Sequence, residues 1–225
     1  MKKRPKSARA ARATKPGSDR PAPKRAAPKR RAGKRAGQTT TPKRSREAVV
    51  RDLMERVRDI PDFPRPGILF KDITPLLGHP PSLAAIVEHL AAGIRKTGAE
   101  LLVGIESRGF LFGAPLALAL GLPFVPVRKP GKLPYRTVKV SYALEYGQDS
   151  LEMHEDAIAR GAKVCIVDDL LATGGTAGGT AQLVEQQGGE VVSFAFVIEL
   201  GFLGGRARLV APRSSADVLS LIRYD

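Results

Sequence analysis

Apolar residues Val49, Val50, Leu53, Met54, Val57 and Ile60 recur at helical spacing behind Ser45, a residue suited to an N-cap. This pattern predicts an amphipathic helix running up to the proline-rich "PDFPRPG". "ILFKDI" then reads as a short strand or extended segment, and Leu83, Ile86, Val87, Leu90 and Ile94 mark a second helix closed by Gly98. Beyond it the pattern changes. "ELLVGIE" (100–106), "PFVPVRK" (123–129), "KVCIVDD" (163–169) and "EVVSFAFVIEL" (190–200) are apolar runs of strand length. They alternate with helical stretches at "FLFGAPLALALG" and from about Thr176 to Gln187. Strands this apolar are buried on both faces, so the alternation predicts an α/β fold with a central parallel sheet flanked by helices. Residues 128–159 have a different texture, polar and alternating, and read as a β-flap or lid projecting from the sheet.

Charge divides the chain. Residues 1–45 hold 17 of the 37 Lys and Arg but only one of the 22 acidic residues, Asp19, a net +16, while the remainder sums to −1. The stretch before Ser45 contains no Leu, Ile, Val or Phe, so it cannot offset the entropy of ordering and is expected to be a disordered basic tail. Residues 46–225 are expected to form one folded domain that includes the 128–159 lid. No apolar stretch follows the basic start, as a secretory signal would require, and the prolines and lysines argue against an amphipathic transit helix. The uncharged run Gly109 to Val127 is broken by Pro115, Pro123, Pro126, Gly113 and Gly121, which excludes a membrane span. Cys165 is the only cysteine, so there is no internal disulfide and no Cys/His zinc spacing, and a reducing cytoplasm fits.

The candidate chemistry lies in "CIVDDLLATGGTAGG", residues 165–179. Ligands of open parallel sheets bind outside the carboxyl ends of the strands, and Asp168 and Asp169 are expected at such an end. The turn from Ala172 to Thr176 carries Gly174 and Gly175, whose missing side chains let several backbone N–H groups converge on one anion at a helix N-terminus. Two carboxylates a short distance before that cradle suit the neighbouring hydroxyls of a ribose, and the combination describes a pocket for a ribose 5-phosphate. Taken singly, each element also fits a structural reading, the aspartates as a solvated turn and the glycines as a tight connection. No Walker loop or dinucleotide glycine fingerprint is present.

"CIVDDLLATGGT" closely resembles the phosphoribosyl pyrophosphate motif of type I phosphoribosyltransferases. Three further stretches, "PDFPRPGILFKDITPLL", "GIESRGFLFGAPLA" and "VRKPGKLPYRT" with "SYALEYG", resemble the adenine phosphoribosyltransferase family within it. The resemblance covers about residues 47–225. It implies that adenine and phosphoribosyl pyrophosphate are converted with Mg²⁺ to AMP and pyrophosphate in purine salvage, by a homodimer. Asp168 and Asp169 would hold the ribose hydroxyls, with Ala172, Thr173, Gly174, Gly175 and Thr176 cradling the 5-phosphate. Arg108 would meet the pyrophosphate, aided by Arg128 and Lys132. Glu145 would be the lid's general acid/base with Tyr146 shielding it, and Leu69, Phe70 and Leu200 would contact adenine. The protein ligands of the metal stay open. Lys71 stands where the family more often has Arg, and Glu106 where an Asp is expected.

Two alternatives are set beside this reading. One is a transferase for 6-oxopurines. The other is a ligand-sensing regulator whose basic tail binds nucleic acid, although no helix-turn-helix pattern precedes Ser45. Nonspecific binding of nucleic acid or another polyanion through residues 1–45 is compatible with the enzyme as well.

Overall fold

The structure is a computed structural model that describes residues 45–144 and 147–225. Ser45 does cap the first helix, α1 (Arg46–Arg56), its Oγ accepting from the Ala48 N–H at 3.2 Å. The helix ends earlier than its apolar spacing suggests. Val57 turns extended, and β1 (Arg58–Ile60) pairs antiparallel with β2 (Phe70–Asp72), so that Ile60 stands opposite Phe70 rather than on the helix. Strand pairing thus overrides the helical period for the last residues. A short helix α2 (Thr74–Leu77) and the longer α3 (Pro80–Ile94) follow.

The body alternates β3 (Leu101–Ile105), α4 (Gly109–Leu120), β4 (Phe124–Val127), β7 (Lys163–Leu171), α5 (Gly175–Gln186) and β8 (Glu190–Leu200). Between β4 and β7 the chain forms an antiparallel hairpin, β5 (Thr137–Leu144) with β6 (Gly147–His154). After β8 come a 3₁₀ turn (Gly201–Leu203), α6 (Gly205–Val210) and β9 (Asp217–Tyr224). Five parallel strands form the central sheet in the order β4-β3-β7-β8-β9. The apolar runs read above give four of these strands. The fifth, β9, was missed by the sequence reading: its apolar residues Val218, Leu219, Leu221 and Ile222 are interrupted by polar ones, and its place at the sheet edge leaves it only partly covered.

The period of two divides the core between the two faces. Leu101, Val103 and Ile105, Val164 and Ile166, and Phe194 and Phe196 point to the face covered by α5. Leu102, Cys165, Val167, Ala195 and Val197 point to the face covered by α1, α3 and α4. The hairpin is seated on the core rather than projecting freely, because Val140, Tyr142, Leu151 and Met153 are buried in the α5-side cluster. Among the described residues no helix is long and apolar enough to cross a membrane.

Candidate active site

Asp168 and Asp169 lie inside β7, which runs on to Leu171, and not at its end as the sequence pattern suggests. The opening beside them comes from the neighbouring strand. β3 stays paired to β7 only as far as Gly104 opposite Val167, while β8 continues beside β7 to Leu171. Past Val167, therefore, one edge of β7 is open, and the loop from β3 to α4 fills the gap with Glu106, Ser107 and Arg108. Asp169 is only 4% exposed, and its Oδ2 lies 2.8 Å from Arg108 Nε. Burial first, and then the charge of Asp169, hold the Asp168 carboxyl well above the ordinary aspartate range. Burial also raises Asp169, with Arg108 opposing it. Two adjacent carboxylates with one arginine between them and the solvent form a site that favours a further cation or hydroxyl donors.

The turn after β7 forms as its glycines predict. Gly174 caps α5 in the left-handed region at φ +79°, and a Cβ there would come within 2.9 Å of the Gly205 carbonyl oxygen. The start of α6 thus backs the turn. It is held there by Arg206, whose guanidinium donates to both oxygens of buried Glu199 at 2.9 and 2.5 Å and to the Val218 carbonyl at 2.7 Å. Arg108, Asp168, Asp169 and the segment 170–177 line a cavity of about 200 Å³. An adjoining cavity of about 430 Å³ is walled by Glu106, Ser107, Arg108, Lys129, Asp168, Asp169 and Thr176. Ala172, Thr173, Gly174, Gly175 and Thr176 therefore share one concavity with both aspartates and Arg108. A larger cavity of about 540 Å³ lies elsewhere, against β9 and α3, and contains none of these groups.

The remaining predicted residues are placed less uniformly. Phe70 reaches the site through Arg108, whose Cζ stands 5.4 Å from the ring centroid, while Phe63 packs edge-on against the same ring at 5.1 Å. Leu69 beside it is half exposed. Leu200, at the end of β8, packs with the cluster under α1, α3 and α4 and lines neither site cavity. The Arg128 guanidinium is held by Glu106 at 3.1 and 3.4 Å and by the Lys132 carbonyl at 3.1 Å. Neither Arg128 nor exposed Lys132 lines either site cavity. Lys71 turns to the other side of its strand, 2.6 Å from Asp59 and 4.2 Å from the Tyr224 ring centroid, so the exchange of Arg for Lys there does not reach the site. Glu145 and Tyr146 lie outside the described residues, as does the segment 1–44.

Lys129 is the cation that sequence reading missed. It stands in the same "VRKPGK" run as Arg128 and Lys132, and spacing along the run does not say which of the three faces the cavity. The hairpin residues Tyr142 and Asp149 that adjoin it gave no signal in their own segment. Among the described residues no group of three or more His, Cys, Asp or Glu side chains is placed to hold a metal ion.

A phosphoribosyl transferase domain matches residues 76–222. The adenine phosphoribosyltransferase of Synechococcus sp. (strain CC9902) is 57% identical over 174 residues, covering 77% of this chain and 98% of its own. That of Myxococcus xanthus (strain DK1622) is 54% identical over 168 residues, covering 75% and 91%. Among solved structures, the adenine phosphoribosyltransferase of Thermoanaerobacter pseudethanolicus is similar with a TM-score of 0.74 at 51% identity, covering 78% of this chain and 99% of its own. The Saccharomyces cerevisiae enzyme, solved with an imino-altritol bisphosphate and adenine, gives a TM-score of 0.71 at 42% identity over 78% and 99%. With this site on this sheet, and with relatives that align over nearly their whole length, the chain belongs to the adenine phosphoribosyltransferase family.

Proposed function

We propose that this chain transfers the 5-phosphoribosyl group of phosphoribosyl pyrophosphate to adenine, giving AMP and pyrophosphate in purine salvage. The observation that carries the reading is the single concavity that joins an anion cradle at 172–176, the paired carboxylates of Asp168 and Asp169, and Arg108. In the reaction the bond from the anomeric carbon to the pyrophosphate oxygen breaks and a bond to a purine ring nitrogen forms, through a cationic, oxocarbenium-like transition state. The cradle fixes the 5-phosphate with backbone N–H groups and the helix dipole of α5. Asp168 and Asp169 accept from the ribose hydroxyls and lie near the sugar as it becomes cationic. Arg108 stabilises the charge that collects on the departing pyrophosphate, and Phe70, against Arg108, offers a face on which adenine stacks. Glu145 is assigned the proton exchange with the purine.

The donor set suits Mg²⁺ that arrives on the substrate's diphosphate, because magnesium is held by one or two carboxylates plus phosphates and needs no cage of protein ligands. Asp168 and Asp169 are the residues that would meet it, and the ion would neutralise part of the leaving group's charge. Arg128, paired with Glu106, fixes the wall of the cavity at that end, Lys132 adds positive charge farther out, and Leu69 and Leu200 are assigned to the base. The reading further includes a homodimer, a cytoplasmic location consistent with one buried thiol, and nonspecific polyanion binding by the basic segment.

The decisive test is AMP formation from phosphoribosyl pyrophosphate and Mg²⁺ with adenine, hypoxanthine and guanine in parallel, and Asp169→Ala as control. A site that hydrogen-bonds the adenine amino group should prefer it by roughly 10⁴-fold over an oxo base. Comparable turnover of hypoxanthine or guanine would assign the 6-oxopurine reaction instead, and no turnover of any base would point to a ligand sensor.

A further inference from the structure

One chain of contacts joins the hairpin to the cavity from behind its wall. Tyr142 and Asp149 stand directly opposite each other on β5 and β6. The Tyr142 hydroxyl donates to Asp149 Oδ2 at 3.2 Å, and the same oxygen accepts from Lys129 Nζ. Asp149 Oδ1 accepts from the Ser150 N–H at 2.8 Å, which fixes the carboxylate plane. On its other side the Tyr142 oxygen lies 3.4 Å from Thr176 Oγ1, whose own hydroxyl can donate to it while the phenol proton goes to Asp149. The Tyr142 ring is 7% exposed and pressed onto α5 where Gly179 leaves room for it, since a Cβ at Gly179 would come within 2.6 Å of the ring. The two ends of this chain, Lys129 and Thr176, both line the 430 Å³ cavity, whereas Tyr142 and Asp149 sit behind it.

We propose that Tyr142 and Asp149 are positioning residues for the sugar substrate. Through them the hairpin holds the Lys129 ammonium over the diphosphate end of the cavity, in register with the Thr176 hydroxyl of the phosphate cradle. The inference rests on the phosphoribosyl pyrophosphate reading of the cavity. A four-carbon lysine stem carries much rotamer freedom, and a carboxylate anchored by two other donors removes part of that cost before the substrate arrives. Asp149 therefore acts on binding through Lys129, and Tyr142 acts through both Asp149 and Thr176.

The test uses the isosteric variants Asp149→Asn and Tyr142→Phe in the full chain. Asp149→Asn is expected to raise KM for phosphoribosyl pyrophosphate about tenfold, the size of one charge-assisted hydrogen bond, with KM for adenine unchanged. Tyr142→Phe should raise it about threefold, and the double variant should fall short of the product of the two because they share one carboxylate. Titration calorimetry with inorganic pyrophosphate, run without adenine, should show the same weakening. Tighter pyrophosphate binding by Asp149→Asn would mean that Asp149 withholds Lys129, and would overturn the proposal. So would a parallel rise in both KM values together with a lowered Tm, which marks a purely structural role. A wild-type protein that binds pyrophosphate, with the variants weakened, but forms no AMP would keep the positioning pair and refute the assigned reaction.

Discussion

Arg108 Nε lies 2.8 Å from Asp169 Oδ2, joining the loop after β3 to the interior of β7 at the point where those strands part. The pair turns an otherwise unfavourable buried carboxylate into an anchor that aims a guanidinium at the cavity. Arg108→Gln should therefore lower kcat about 10²–10³-fold, as removal of one preorganised charge-stabilising group does. Arg108→Lys should recover only part of it, since an ammonium cannot hold Asp169 and the leaving group with one planar fork. Steady-state kinetics on both variants, with pyrophosphate affinity alongside, checks this.

The ligand-free carboxylate pair should weaken the fold at neutral pH. Both folded-state pKa values are raised above the ordinary aspartate value of about 3.9, so the folded chain holds these protons more tightly than the unfolded one. The stability they contribute is complete below that ordinary value and is lost as pH rises through the elevated folded values. Asp168→Asn removes the larger of the two penalties. Its ligand-free Tm should exceed that of the wild type at pH 7.5, the difference shrinking toward pH 4, while activity falls. Thermal melts across that range decide the matter, and parallel curves would refute it.

Gly174→Ala tests the phosphate cradle. A side chain at φ +79° costs roughly 1–2 kcal/mol, and its Cβ would also press on the Gly205 carbonyl at 2.9 Å. Backbone here is clamped between α5 and α6, so the loop must shift. The expected result is a Tm lower by several degrees and weaker binding of both AMP and phosphoribosyl pyrophosphate, with pyrophosphate binding nearly unchanged. Equal losses for all three ligands would mean the cradle is not where the 5-phosphate sits.

The basic segment predicts a separable property. Removing residues 1–44 should leave kcat and both KM values within about twofold, because the catalytic groups all lie beyond it, and should abolish DNA retardation at low salt. The full chain's DNA affinity should fall steeply with added salt and show no sequence preference. A collapse of the kinetics on truncation would make the segment part of the enzyme.

The α/β class, four of the five sheet strands and the glycine turn at 172–176 were legible in the chain because each is coded locally. Buried strands of a parallel sheet need unbroken apolar runs, and the turn at 172–176 needs glycine at the residue that is left-handed, Gly174. Phe70 and Arg108 followed from resemblance, and packing brings them together. What the tertiary structure alone decided is which charges face the cavity. Arg128, Lys129 and Lys132 are equivalent cations in the sequence, yet Glu106 claims Arg128 and only Lys129 reaches the cavity. The depth of Asp168 and Asp169 inside β7 depends on where β3 stops pairing, and the seating of the hairpin depends on the space that Gly179 leaves for Tyr142. These are contacts between residues far apart in the chain, set by register and packing, and a local pattern carries no record of them.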